Sequence, residues 1–167
     1  MFLNLIKNFF LKKKLRITPN AINNNSNEIV IIINANDISN SEFVIDQLTH
    51  NIFKKYKVTV IYYKNKFDNI VSLPINNISN KTFNWCAKVT DNAVLNLLKQ
   101  PYLLCVTISN DNLYVNRISN IINAEYKFEV SNLRSDIFDV SLIYTVSENS
   151  QYINDLTYYL KSFKIID

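Results

Sequence analysis

Residues 83–112, FNWCAKVTDNAVLNLLKQPYLLCVTISNDN, decide the fold. Thr90 is placed to cap a helix, with Asp91 favourable in its first turn, where the peptide dipoles leave partial positive charge. Ala93, Val94, Leu97 and Leu98 follow on one stripe at helical spacing. Pro101 stops the helix, because its ring pushes the preceding residue out of the α region. Residues 102–108 then offer apolar side chains to both faces, as a strand inside a parallel sheet does. A helix leading into a doubly buried strand predicts an α/β sheet.

Working outward, the flanks repeat that grammar. Residues 28–33, EIVIII, form a continuous β-branched run, a buried first strand that should lie beside residues 103–108 at the sheet centre. A polar loop, Asn34-Ala35-Asn36-Asp37, follows it. Ser39 and Glu42 then have capping-box spacing for a helix that buries Val44, Ile45, Leu48 and Ile52. His50 points away from that stripe, with no carboxylate or cysteine expected near it, and reads as a surface residue. Residues 57–63, KVTVIYY, make the second strand. Periodicity fades over residues 64–82, a candidate binding loop. Beyond the central unit, Ser109-Asn110-Asp111-Asn112 turns into a helix carrying Val115, Ile118, Ile121 and Ile122 inward. A strand at 126–130 follows. Phe138, Val140, Leu142, Tyr144 and Val146 alternate with less apolar residues, which predicts a strand nearer the sheet's edge. A last helix carries Tyr152, Ile153, Leu156, Tyr159, Leu160 and Phe163 on one stripe. The sum is an α/β, Rossmann-like, open and mostly parallel sheet of about five strands with flanking helices, behind a basic N-terminal helix.

Composition bounds the chemistry. The 167 residues are 48% hydrophobic and 19% charged, which suits one globular domain. The chain contains no glycine. Phosphate-binding loops of the Walker type and dinucleotide fingerprints need glycine for close backbone approach, so neither is present in standard form. Without glycine, asparagine is the next best residue for left-handed backbone positions, and the asparagine clusters read as turns. Cys86 and Cys105 lack metal-ligand spacing and are expected as separate reduced thiols, Cys105 buried, which suits a cytoplasmic protein.

Charge is concentrated at one end. Lys7, Lys12, Lys13, Lys14 and Arg16 precede the first acidic residue, Glu28; of the net +4, the first 27 residues hold +5 and the remainder −1. Phe2, Leu3, Leu5, Ile6, Phe9 and Phe10 fall on one side of a helix at 1–16, followed by a linker at 17–27 and the domain at 28–167. The apolar run is too short to span a bilayer, and its charges follow it rather than precede it, unlike a signal peptide. Two functional readings stand. The segment is a foot for an anionic surface, either membrane headgroups at the inner membrane or RNA and the ribosome, or it packs on its own domain.

The blocks Trp85-Cys86-Ala87-Lys88, Pro101-Tyr102-Leu103-Leu104-Cys105-Val106, Ala124-Glu125-Tyr126-Lys127-Phe128-Glu129, Phe138-Asp139-Val140-Ser141-Leu142 and Tyr158-Tyr159-Leu160 keep a common order and spacing. In these the chain resembles an uncharacterised domain-of-unknown-function family of Bacteroidota. Leu103 stands where that family's strand has aspartate, and Ala87 and Glu129 where it has glycine. The strand–helix–strand core also distantly resembles the N-terminal half of heptosyltransferase-type glycosyltransferases, a likeness of fold alone.

Two functions follow. The favoured one is a non-catalytic cytoplasmic binding or accessory protein, for no nucleophile–base pair, metal cluster or phosphate loop is legible, and no cofactor or metal is expected. The alternative is a degenerate glycosyltransferase-like domain, or another enzyme binding a small polar ligand beyond the strands' carboxyl ends. Its candidate residues are Asn34, Asn36, Asp37, Trp85, Lys88, Ser109, Asn110 and Asp111. Turn and cap formation explains the asparagines and aspartates equally well, and Trp85 is expected to anchor the core.

Overall fold

The computed structural model describes residues 26–38, 41–65, 76–146 and 151–166. The expected basic helix at 1–16, with Lys7, Lys12, Lys13, Lys14 and Arg16, and nearly all of the expected 17–27 linker lie outside them, as does most of the candidate loop. Six parallel strands form one sheet: β1 (Glu28–Asn34), β2 (Lys57–Tyr63), β3 (Asn77–Ile78), β4 (Pro101–Ile108), β5 (Asn123–Ser131) and β6 (Val140–Ile143). Their spatial order is β3-β2-β1-β4-β5-β6. As expected, β1 and the 103–108 run are neighbours at the centre, with Ile29 beside Leu104 and Ile33 beside Ile108. The residues of β1 from Ile29 to Asn34 are all buried, which is why the strand has no polar alternation. The alternating segment closes the sheet as edge strand β6, with Ile143 exposed.

Among the described residues, four helices cover the two faces. On one face lie α1 (Ser41–Asp46), which winds on as a π-helical stretch at Gln47–Ile52, and α4 (Tyr152–Ser162). They bury Val44, Leu48, Tyr152, Leu156 and Leu160 against Ile29, Ile31, Ile33, Val106 and Phe128. The other face carries α2 (Asn92–Lys99) and α3 (Leu113–Ile121), whose Val94, Leu98, Val115 and Ile118 pack on Val30, Ile32 and Cys105.

The expected sheet of about five strands is present, and among the described residues Asn77–Ile78 adds a two-residue strand beside Tyr62 and Tyr63. Other expectations need correcting. The α2 cap is Asp91 rather than Thr90: the Asp91 carboxylate accepts from the Ala93 and Val94 amides, at 2.8 and 3.3 Å, and so closes two of the helix's open donors. His50 is exposed as expected, yet its Nδ1 lies 2.7 Å from the Asp46 carboxylate, one helical turn back. Cys105 is buried and Cys86 partly so, and both are free thiols. Burial pushes the Cys105 thiol up to about 11, which leaves it unreactive at neutral pH.

Candidate functional site

In an open parallel sheet, the place where strand order reverses leaves a crevice beyond the strands' carboxyl ends. Here that place lies between β1 and β4, and the loops leaving them meet there. Asn34, at the end of β1, is buried and uses its whole amide. Its Nδ2 donates to the Asp37 carboxylate at 2.7 Å and to Ser109 Oγ at 3.1 Å. Its Oδ1 accepts from the Asn36 backbone and side-chain nitrogens, at 3.2 and 2.6 Å. The same Asp37 oxygen accepts from the Asn110 amide at 2.8 Å, and Ser109 Oγ donates to the Asn110 carbonyl oxygen at 2.6 Å. Asn110 then pairs its side-chain amide with both backbone groups of Val146, at 2.8 and 3.1 Å. Asp111 lies outward of this knot, its amide donating to Asn132 Oδ1 and its carboxylate accepting from Asn116.

Five predicted residues therefore come together (Asn34, Asn36, Asp37, Ser109 and Asn110), and they satisfy one another. Short polar side chains at strand ends bond local backbone readily, and in this chain two such loops interlock.

Trp85 and Lys88 belong to another feature, a turn closed by an antiparallel bridge between Phe83 and Val89. Asn84 Oδ1 accepts from the Cys86 and Lys88 amides, and the Arg117 guanidinium donates to the Ala87 carbonyl at 3.3 Å. Trp85 is 58% exposed, so it does not anchor the core as expected. The cause is local: Ala87 is buried with φ of 56°, and this left-handed step directs the turn's core contact through Ala87 instead.

Two groups escaped sequence reading. On the second face the sheet becomes polar from β4 towards β6. Thr107 bonds Ser119 at 2.8 Å, and Lys127 donates to the Ser119 carbonyl at the end of α3. Buried Glu129 accepts from the Ser135 amide and the Ser141 hydroxyl. Burial lowers the Lys127 pKa and raises that of Glu129. The charged pair two residues apart in β5 was the available signal. The second group lines a cavity of about 330 Å³ at the sheet's opposite end, where Asn51, Ile52, Lys54, Lys55 and Tyr56 face Thr157, Lys161 and Ile166. Residues so far apart in sequence give no local motif. Among the described residues, no group of three or more His, Cys, Asp or Glu side chains is placed to hold a metal ion.

The class defined by this fold is thus a parallel α/β domain whose described strand-end loops hydrogen-bond one another at the switch point. The chain belongs to a family of unknown function (DUF6913), which it matches over residues 4–163. Neither the curated proteins nor the solved structures contain a match to it.

Proposed function

We propose that the protein is a non-catalytic binding protein that meets an anionic membrane surface through residues 1–16. The observation that supports the non-catalytic part is the closed knot of Asn34, Asp37, Ser109 and Asn110, which occupies the place where open α/β sheets receive small ligands. Binding is then expected elsewhere, and the sequence supplies a candidate in Lys7, Lys12, Lys13, Lys14 and Arg16. A membrane is favoured over RNA because Phe2, Ile6, Phe9 and Phe10 add an apolar stripe that the headgroup boundary would bury, whereas phosphate contacts require only the cations. Ser26 Oγ donates to the Pro101 carbonyl at 2.9 Å, which holds Ser26 at the end of the sheet away from the knot. Among the described residues, no helix is long and apolar enough to cross a membrane.

The test is sedimentation of the full chain and of a 1–16 deletion with vesicles of neutral lipid, or of neutral lipid plus phosphatidylserine, at low and high salt. The full chain should sediment with anionic vesicles and be released by salt, and the deletion should stay in solution with unchanged melting. Salt-sensitive sedimentation with ribosomes but not vesicles would transfer the role to RNA. A lower melting temperature on deletion, with no salt-sensitive association of the full chain, would make the segment a structural part of the domain.

A further inference from the structure

The cavity between the π-helical stretch and the end of α4 has a chemistry distinct from that of the hydrogen-bonded rim. Its wall combines three lysines (Lys54, Lys55 and Lys161) with the side chains of Ile52, Tyr56 and Ile166. Two helices end here, and each C-terminus carries about half a negative charge, so together they offset roughly one of the lysines. Lys55 has an interaction of its own, so the positive charge that remains is carried by Lys54 and Lys161. The side chains of Lys54 and Lys161 make no hydrogen bond or ion pair among the described residues, which leaves their ammonium donors available.

The other polar groups of the wall have committed donors. The Tyr56 hydroxyl donates to the Ile165 carbonyl and ties the wall together across the two helix ends. Thr157 Oγ1 donates to the Ile153 carbonyl at 2.7 Å, and Asn51 donates to Gln47 at 2.8 Å. Apart from the second Asn51 amide hydrogen, the uncommitted donors are the ammonium groups, and the cavity volume falls at the lower end of small-ligand sites, about 300–1,000 Å³. A hydrated ammonium pair beside an apolar floor matches a phosphate group attached to a compact organic remainder.

We infer that this cavity binds the phosphate group of a small phosphorylated molecule, with Lys54 and Lys161 as its charge contacts. The inference goes beyond the membrane reading and does not depend on residues 1–16. Inorganic pyrophosphate and glycerol 3-phosphate serve as probes in titration calorimetry on the full chain, with vesicles containing phosphatidic acid as a separate arm. Saturable binding of either soluble probe is expected, weakened about tenfold by each of Lys54→Ala and Lys161→Ala. Lys161→Arg should retain most of the affinity, Lys99→Ala all of it, and melting temperatures should hardly move. The 1–16 deletion should bind the soluble probes normally, which separates this site from the membrane foot. Binding to the vesicles alone would assign the phosphate contact to a lipid headgroup and overturn the soluble-ligand inference. Absence of saturable binding, or equal binding by the Lys54→Ala/Lys161→Ala double variant, would also overturn it. Asp167 follows Ile166 in the sequence; binding seen only in Asp167→Asn would mean that the lysines serve the chain's own carboxylate, and the inference would fail.

Discussion

The two ends of the sheet differ in what they leave unsatisfied. At the carboxyl end of the strands, Asn34 spends both amide hydrogens and its carbonyl oxygen on Asp37, Ser109 and Asn36, all within the chain. At the amino end, Lys54 and Lys161 line a cavity with their ammonium groups uncommitted among the described residues. A parallel sheet makes this division natural, because helix N-termini and strand-end loops collect at one end and helix C-termini at the other. Ligand chemistry usually uses the first end. Here, among the described residues, Asn34, Ser109 and Asn110 turn their side chains to one another and to local backbone, and the opposite end carries uncommitted lysines beside the helix C-termini.

The largest effect should come from the closed end. Asn34→Ala strands several buried partners at once, and it should cost about 2–4 kcal/mol in chemical denaturation, given 1–3 kcal/mol for each buried group left unsatisfied. A loss below about 1 kcal/mol would mean that water replaces the amide and the rim is more open than its geometry suggests.

Next comes Glu129→Gln. Its carboxyl is raised mainly by burial, so the ionised form costs the folded state more than the unfolded one. Stability linked to Glu129 is fully present below the unfolded carboxyl value of about 4.3 and falls as pH rises through the higher folded value. The glutamine variant, which keeps an acceptor for Ser135 and Ser141, should therefore melt above the wild type at pH 7 and lose that advantage near pH 4. Melting curves across this range check the sign; a constant offset at all pH values would exclude a charge effect.

The smallest effect belongs to the open end. Lys164 has φ of 57° and closes α4, with the Ile165 amide donating to the Leu160 carbonyl at 3.0 Å. This is a left-handed helix stop that glycine adopts more cheaply. Lys164→Gly should stabilise by about 0.5–1 kcal/mol. Because Lys164 does not line the cavity, affinity for pyrophosphate should be nearly unchanged. A large drop in affinity would extend the binding surface beyond the cavity wall.

How much of this was legible follows from which signals are local. β1 and β4 were readable because burial on both faces demands unbroken apolar runs, and β6 because one exposed face imposes alternation. β3 was hidden, since two residues in an asparagine-rich stretch carry no period. The helix cap was off by one residue: Thr90 and Asp91 are both good caps, and only the backbone chooses between them. Trp85 misled because its size argues for burial, while the Asn84–Ala87 turn buries the smaller Ala87 instead. The rim asparagines could be found as a group, yet their interlocking depends on two loops about seventy positions apart. The cavity was invisible for the same reason: Lys54 and Lys161 are brought together only by the packing of two helices on one face.

The central position of β1 also sets a timetable for the nascent chain. Its neighbour β2 begins at Lys57, but its other flank waits for β4, with Ile33 aligned to Ile108. At about 5–20 residues per second, ribosomal synthesis needs roughly 4–15 s to span the gap between those two residues. For that interval EIVIII has an unpaired side of β-branched backbone, the kind of edge that recruits other chains. Rapid dilution from denaturant delivers β1 and β4 together, so refolding in the tube escapes a hazard that vectorial synthesis imposes.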